Sequence, residues 1–178
     1  LSLNLLAIII GLISFVLFIF YPLMKRITYW PQLFLGITFN YGLLIGWTSI
    51  NNQIDLVPVL FYLGAIFWTL GYDTIYGFQD IKDDEIIGLK STSIKFKNNP
   101  YKFLTVCYLI FLLNLFFTGF IMELNNFFYL IFIFTVIQMF FFQLKRLDIK
   151  NNLECLTIFK SNNFLGLLVL ISLICGKV

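Results

Sequence analysis

Five acidic residues lie close together in an otherwise apolar chain, in the segment YDTIYGFQDIKDDEIIGLKST (72–92). They are Asp73, Asp80, Asp83, Asp84 and Glu85. If one helix ran through this segment at about 100° per residue, Asp73, Asp80 and Asp84 would share a stripe, with Tyr76 beside it. Stacked carboxylates repel one another unless a cation intervenes, and oxygen ligands suit Mg²⁺. The pattern predicts a magnesium site able to receive a phosphate; the alternative is a solvated acidic loop balanced by lysines.

A second segment, YPLMKRITYWPQ (21–32), carries positive charge and aromatic hydroxyl groups. Tyr21 and Lys25 are four residues apart, which is about one helical turn, and Arg26 follows. Cationic and hydroxyl groups in this spacing could clamp the oxygens of a diphosphate. The alternative is an interfacial belt of aromatic rings and snorkelling charges.

The remaining polar residues offer less chemistry. The segment ECLTIFKSNNFLG (154–166) contains Lys160, Asn162 and Asn163, and on its own it is more typical of a helix start. Three cysteines are widely separated and are interpreted as buried free thiols: Cys107, Cys155 and Cys175. The chain has no histidine, which excludes His-based zinc sites, bis-His haem ligation and His-dependent triads.

These residues must be positioned by membrane helices. The chain is 60% hydrophobic and 12% charged, whereas soluble domains are about 25% charged. We therefore expect an all-α integral membrane protein with six transmembrane helices, each needing roughly 20 apolar residues. They are predicted near 1–20, 31–50, 56–78, 103–122, 127–143 and 163–178. Gly36, Gly42 and Gly46 are expected to allow close helix approach in the second span.

The basic residues alternate between the connecting loops. Of the 12 Lys and Arg residues, only Lys177 lies outside the loops that follow spans one, three and five. Positive charge favours the cytoplasmic or matrix side of a membrane. The acidic segment follows span three, so it is expected on that side, in a bacterial or mitochondrial inner membrane.

These segments together resemble the UbiA family of membrane aromatic prenyltransferases, and most closely its members that prenylate 4-hydroxybenzoate for ubiquinone synthesis. The resemblance is carried by YPLMKRITYWPQLFLGITFNYG, by YDTIYGFQDIKDDEIIGLKST as the family's second aspartate-rich motif, and by CLTIFKSNNFLGL near the end of the chain. It extends from about residue 20 to the end. CDP-alcohol phosphotransferases also use D-x-x-x-D, but their upstream D-G…A-R…G pattern is absent from this sequence.

The resemblance implies a role for each matching residue. Asp80 and Asp84 would bind Mg²⁺, with Asp73 as a supporting acid. Diphosphate or the acceptor's carboxylate would be held by Tyr21, Lys25, Arg26 and Tyr76. The implied substrates are polyprenyl diphosphate and 4-hydroxybenzoate, with the lipid bilayer as surroundings; neither nucleic acid nor an obligate protein partner is expected.

The resemblance also implies a nine-helix bundle, of which this chain would supply helices four to nine as part of a single domain. The family's first aspartate-rich motif is not found in residues 1–178, and apolar sequence begins at Leu1. We therefore expect the C-terminal part of a longer protein, inactive by itself. Two alternatives stay open: a UbiA-type enzyme for a naphthoate or haem acceptor, and a non-catalytic membrane subunit or transporter.

Overall fold

The computed structural model describes residues 3–177, which form helices joined by short connections, with no strand in that range. The helices are α1 (Leu5–Phe20), a 3₁₀ turn (Tyr21–Leu23), α2 (Met24–Ile27), α3 (Pro31–Phe39), α4 (Gly42–Asn51), α5 (Leu56–Gly77), α6 (Ile81–Ile87), α7 (Thr92–Lys95), α8 (Pro100–Ile121), α9 (Asn126–Ile137), a π-helix (Gln138–Leu144) and α10 (Asn152–Lys177). The prediction of an all-α membrane protein is confirmed.

Six helical segments are long and apolar enough to cross a membrane, as predicted. They are Leu5–Ile27, Pro31–Asn51, Leu56–Gly77, Pro100–Ile121, Asn126–Leu144 and Asn152–Lys177. Local signals set several of their starts: the Asn4 side chain accepts from the Ala7 N–H, and Pro31 and Pro100 stand in the first turn, where no backbone donor is needed. Predicted positions 1, 2 and 178 lie outside the described residues.

Two predicted helix boundaries were wrong. Helix α5 ends at Gly77, so the single helix expected through the acidic segment is broken by a turn before α6. The sixth span begins at Asn152 rather than near 163, because Asn151 caps it by accepting from the Glu154 N–H at 3.2 Å. Its polar first turns bury Cys155, Ile158 and Asn162 against the bundle, so tertiary packing stabilises a segment that looked like a loop.

Helices α5 and α8 form the closest pair and the centre of the core. Gly71 of α5 faces the ring of Tyr108, and a Cβ built at Gly71 would come within 2.7 Å of that ring. Trp68 stacks on Phe111 with ring centroids 5.1 Å apart. Helix α3 covers another side of α5, where Gly36 lies against Ile66.

Only part of the glycine prediction is confirmed. A Cβ at Gly36 would come 2.8 Å from the Ile66 carbonyl oxygen, whereas Gly42 and Gly46 have nothing within 4 Å.

The cysteine prediction is confirmed for the free state of all three thiols and for the burial of Cys107 and Cys155. It was wrong for Cys175, which is exposed.

Helix α1 presents apolar side chains outward along most of its length. Leu12 is 65% exposed and Phe15 is 62% exposed, as expected of side chains that face lipid. The helix packs on α4, where the Asn4 amide donates to the Thr48 carbonyl at 2.6 Å. This contact ties the start of the first span to the end of the second.

Candidate diphosphate and metal site

The acidic turn is built from the end of α5 and the start of α6. The N–H groups of Phe78, Gln79 and Asp80 each bond to the carbonyl three residues earlier, so the backbone tightens after Gly77 and re-enters a helix at Ile81. The Asp84 N–H then donates to the Asp80 carbonyl at 2.8 Å, one helical turn apart. The predicted one-turn spacing of Asp80 and Asp84 therefore holds, but Asp73 belongs to a separate helix.

The four acids of α6 and its N-cap differ in their surroundings. Asp84 is buried, with 7% of its surface exposed, and Asp80 is half-buried. Asp83 is exposed, and the Glu85 carboxylate forms an exposed ion pair with Lys97 at 2.6 Å. Asp80 and Asp84 are therefore the two acids that face the protein.

The basic segment lies directly against the loop that follows α6. The Lys90 N–H donates to the Lys25 carbonyl at 2.8 Å, and Lys90 Nζ donates to the Ile27 carbonyl at 3.2 Å. Lys90 also lies 5.7 Å from the centre of the Tyr29 ring. These contacts dock α2, which carries Lys25 and Arg26, beside the acidic turn.

A buried polar cluster holds that loop in place. Gln32 Oε1 accepts from the Thr92 N–H at 2.9 Å, the hydroxyls of Thr92 and Thr74 are 2.6 Å apart, and the Ser93 hydroxyl donates to the Thr74 carbonyl at 2.8 Å. Since these side chains are buried, each polar group depends on the others for its hydrogen bonds. The cluster joins α3, α5 and α7 and so fixes the relative positions of both charged segments.

Asp73 lies near the basic segment, on the last turns of α5. The ammonium of Lys25 and the hydroxyl of Tyr21 lie close enough to the Asp73 carboxyl for electrostatic coupling. Tyr76 is 39% exposed and its ring lies 4.7 Å from that of Phe159 on α10. Arg26 is exposed on α2. The structure thus brings the predicted diphosphate-binding residues to one end of the bundle.

The carboxylates do not converge on a ready-made metal cage. Within residues 3–177, no group of three or more His, Cys, Asp and Glu side chains is arranged to hold a metal ion. The same range shows a single ion pair, that of Lys97 and Glu85, so Lys25 is not paired with any acid within 4.0 Å. Lys25 therefore lies near Asp73 without forming an ion pair, so its ammonium is free to receive a ligand.

An aromatic cavity of about 420 Å³ lies beside Tyr72, one residue before Asp73. It is lined by Phe39, Asn40, Trp68, Thr69, Tyr72, Phe159, Asn162, Asn163 and Gly166. Asn162 accepts from Trp68 Nε1 at 2.9 Å and from Gln143 Nε2 at 3.1 Å. The third segment of the sequence therefore contributes a wall of this cavity, while Lys160 is exposed.

Sequence reasoning missed several residues of the cavity. Asn40 occupies the break between α3 and α4 and donates to Thr69 Oγ1 at 2.8 Å. Trp68 and Thr69 were read only as part of an apolar span. A polar residue inside an apolar helix was the available signal, because such a residue needs a partner in the bundle.

Comparison with known proteins identifies the family of this chain. A family model described as the UbiA prenyltransferase family matches residues 1–168. The chain is 40% identical over 178 residues to the mitochondrial 4-hydroxybenzoate polyprenyltransferase of Bos taurus, covering 99% of this chain and 48% of that protein. It is 37% identical over 175 residues to the 4-hydroxybenzoate octaprenyltransferase of Francisella tularensis subsp. novicida (strain U112), covering 96% and 60%.

A shorter match has higher identity. The Homo sapiens mitochondrial 4-hydroxybenzoate polyprenyltransferase is 51% identical over 106 residues, which cover 59% of this chain and 29% of that protein. No solved structure matches the chain. The chain thus spans about half the length of the curated relatives it matches.

Proposed function

Because the chain belongs to the UbiA prenyltransferase family, we propose that the protein containing it transfers a polyprenyl group from polyprenyl diphosphate to 4-hydroxybenzoate. The new bond forms at the ring carbon ortho to the hydroxyl, as a step in ubiquinone synthesis. Relatives from a bacterium and from mitochondria bear names that state this acceptor. An inner membrane is the proposed location, with the acidic turn on the cytoplasmic or matrix side.

The observation that carries this proposal is the meeting of three segments at one end of the bundle. The backbone of Lys25 is bonded to the loop after the acidic turn, Asp73 lies near Lys25, and the cavity begins beside Tyr72. A charged entrance above an aromatic cavity suits a substrate with a diphosphate head and an isoprenoid tail. It also suits an aromatic acceptor placed where the two meet.

The residues at the acidic turn fit a divalent cation, which we propose to be Mg²⁺. Asp84 is 7% exposed as a residue, and its carboxylate oxygens stay accessible while making no hydrogen bond or ion pair with any residue in the range 3–177. An accessible carboxylate without a protein partner can serve as an oxygen ligand for such a cation. Asp80 and Asp84 would hold the ion with Asp73 in support, and the bound ion would neutralise negative charge on the departing diphosphate.

The chain's own side chains bind and orient the diphosphate. Lys25 and Arg26 supply positive charge, and the hydroxyls of Tyr21 and Tyr76 donate to its oxygens. These fixed donors stabilise the charge that develops on the leaving oxygen as the allylic carbon–oxygen bond breaks. The carbon fragment that remains carries positive charge.

The aromatic cavity protects this fragment until the acceptor attacks. The rings of Trp68, Tyr72 and Phe159 offer their negative faces to a cation and exclude water that would otherwise quench it. The electron pair of the new carbon–carbon bond comes from the hydroxybenzoate ring. That ring then loses a proton and recovers its aromaticity.

Two neighbouring acids provide a matched test of the site. In the full-length protein, we expect Asp84→Asn to lower prenyl transfer by at least about 100-fold, because an amide in place of the carboxylate would no longer hold the cation. Asp83→Asn removes the same charge one residue earlier on the exposed side and should retain near-wild-type transfer. The measurement is formation of prenylated 4-hydroxybenzoate as Mg²⁺ is titrated. Wild-type turnover by Asp84→Asn would refute the assignment.

A further inference from the structure

A second apolar space, separate from the aromatic cavity, lies between α10 and the helix formed by α9 and the π-helix. We call it the outer groove; its volume is about 370 Å³. Its lining includes Phe134, Gln138, Arg146, Glu154, Ser161 and Leu168. No residue assigned to the reaction above lines it.

The outer groove contains one unsatisfied hydrogen-bond acceptor. Gln138 is only 9% exposed, and its Oε1 is the single buried side-chain N or O atom in residues 3–177 without a hydrogen-bond partner. Ser161 Oγ donates to the Ile158 carbonyl at 2.7 Å and accepts from Gln138 Nε2 at 3.2 Å, which fixes the direction of the amide. A buried acceptor left unpaired is costly, so this oxygen calls for a donor from outside the protein.

The π-helix belongs to the same feature. Gln138 is its first residue, and π-helical turns are rare and occur frequently at functional sites. Gln143 in the same turn is fully buried and bonds to Tyr108 and Ser161, so the inner side of the π-helix is satisfied while Gln138 faces the groove. The backbone irregularity thus accompanies the unpaired acceptor.

The ends of the groove differ in polarity. Arg146 and Glu154 stand at its mouth, and neither is in an ion pair within the described residues. Phe134 and Leu168 close the groove near mid-span. Phe134 is twelve residues from Arg146, which corresponds to roughly 18 Å along the helix. One leaflet of the hydrocarbon core is about 15 Å thick. The groove therefore runs from the membrane surface to the bilayer centre, in the direction of a lipid chain.

We propose that the outer groove binds a prenylated hydroxyaryl carboxylic acid, the product class of the reaction proposed above, on which this inference rests. A small shift of the Gln138 side chain opens its buried Oε1 to the groove, where it accepts from the phenol O–H. The carboxylate binds Arg146, and the first isoprene units lie along Phe134 and Leu168. An ordinary phospholipid chain brings no donor to the depth of Gln138. The groove is then a holding site for product beside the catalytic cavity.

Photolabelling with a ready-made ligand tests this proposal. The probe is 3-geranyl-4-hydroxybenzoate with a diazirine at the end of the geranyl chain, added to the full-length protein in nanodiscs. We expect label in peptides of α9, the π-helix and α10, and roughly five-fold less label with the 4-methoxy probe, which lacks the donor. Gln138→Met should abolish this preference, while Lys145→Met, an exposed neighbour, should retain it.

Each remaining outcome overturns the proposal. Three such outcomes are equal labelling of the groove by the methoxy and hydroxy probes, survival of the preference in Gln138→Met, and removal of the label by excess phosphatidylglycerol, which would show that a phospholipid occupies the groove. Unlabelled groove peptides would show that another part of the protein fills it. The probe binds without turnover. If the unaltered full-length protein showed no transferase activity but its groove were labelled as expected, only the proposed function would be refuted.

Discussion

Lys25 and Asp84 are single side chains whose surroundings carry the proposed chemistry. Lys25 is exposed and lies near Asp73 but forms no ion pair in the described range, and the Asp84 carboxylate has no hydrogen bond or ion pair there. Neither charge is neutralised by a protein group in the described residues, so each is available to a ligand of opposite sign. The exposed Glu85–Lys97 pair shows the contrast, since a surface ion pair of this kind contributes at most about 1 kcal/mol.

Replacing Lys25 should weaken diphosphate binding. In the full-length protein we expect Lys25→Met to raise the KM for polyprenyl diphosphate by about 10-fold or more, because a hydrogen bond to a charged group is lost. Lys82→Met removes an exposed lysine at the acidic turn and is the matched control, with KM near wild type. Steady-state kinetics with varied polyprenyl diphosphate measure the effect, and equal KM values for the two variants would count against the clamp.

Gln32 should matter for stability rather than for direct chemistry. Gln32→Ala leaves the buried N–H of Thr92 without an acceptor, which should lower the free energy of unfolding by about 1–3 kcal/mol. Gln53→Ala removes an exposed hydrogen bond to Asp55 and should change stability little. Thermal unfolding in detergent compares the two; a Gln32→Ala protein as stable as Gln53→Ala would show that the loop is held by other contacts.

Helices show where sequence pattern succeeded and where it failed. The apolar runs indicated six membrane helices because lipid leaves few alternatives for a backbone that must satisfy its own hydrogen bonds. The predicted start of α10 and the predicted continuation of α5 were wrong, because neither boundary depends on apolar content. Asn151 caps the former. At the latter, the N–H groups of Phe78, Gln79 and Asp80 bond to the carbonyls three residues earlier, and Gly77 lets Ser93 and Gln32 approach its backbone.

The interface of α5 and α8 offers a test of close packing. Gly71→Ala would push a methyl group into the Tyr108 ring, which is fully buried and hydrogen-bonded to Gln143 and so has no room to move. We expect a loss of about 1–3 kcal/mol in stability. Gly46→Ala adds the same methyl group in open space and should be neutral or slightly stabilising. Denaturation of both variants in the same detergent provides the comparison.

The whole bundle presents one charged end and one nearly uncharged end. The acidic turn, the basic segment and the start of α10 meet at the first, as the Asn152–Gln79 and Tyr76–Phe159 contacts show. The opposite end carries Asp55, Glu123 and Lys177. Because six membrane helices cross in alternating directions, the loops after spans one, three and five lie at the same end of the bundle. Which side of the membrane that end faces is still a prediction from the distribution of Lys and Arg.

Cysteine labelling in membranes measures that orientation. Cys175 is exposed and is first replaced by serine, while Cys107 and Cys155 are buried. In this background Lys97→Cys should react with an impermeant maleimide only from the cytoplasmic or matrix side, and Glu123→Cys only from the opposite side. Labelling of both from one side would contradict the six-span topology, and labelling with the sides exchanged would contradict the orientation.

By itself the sequence determined that this protein is a helical membrane bundle, because a soluble fold of this size could not bury so many apolar residues in such long runs. It also singled out the charged segments, since ionisable groups beside a membrane need partners or ligands. Only the tertiary structure decided that Asp84 is buried while Asp83 is not, that Asn162 lines a cavity with Trp68, and that Gln138 lacks a donor. These depend on which helices pack together, and contacts between residues distant in sequence leave no periodic pattern along the chain.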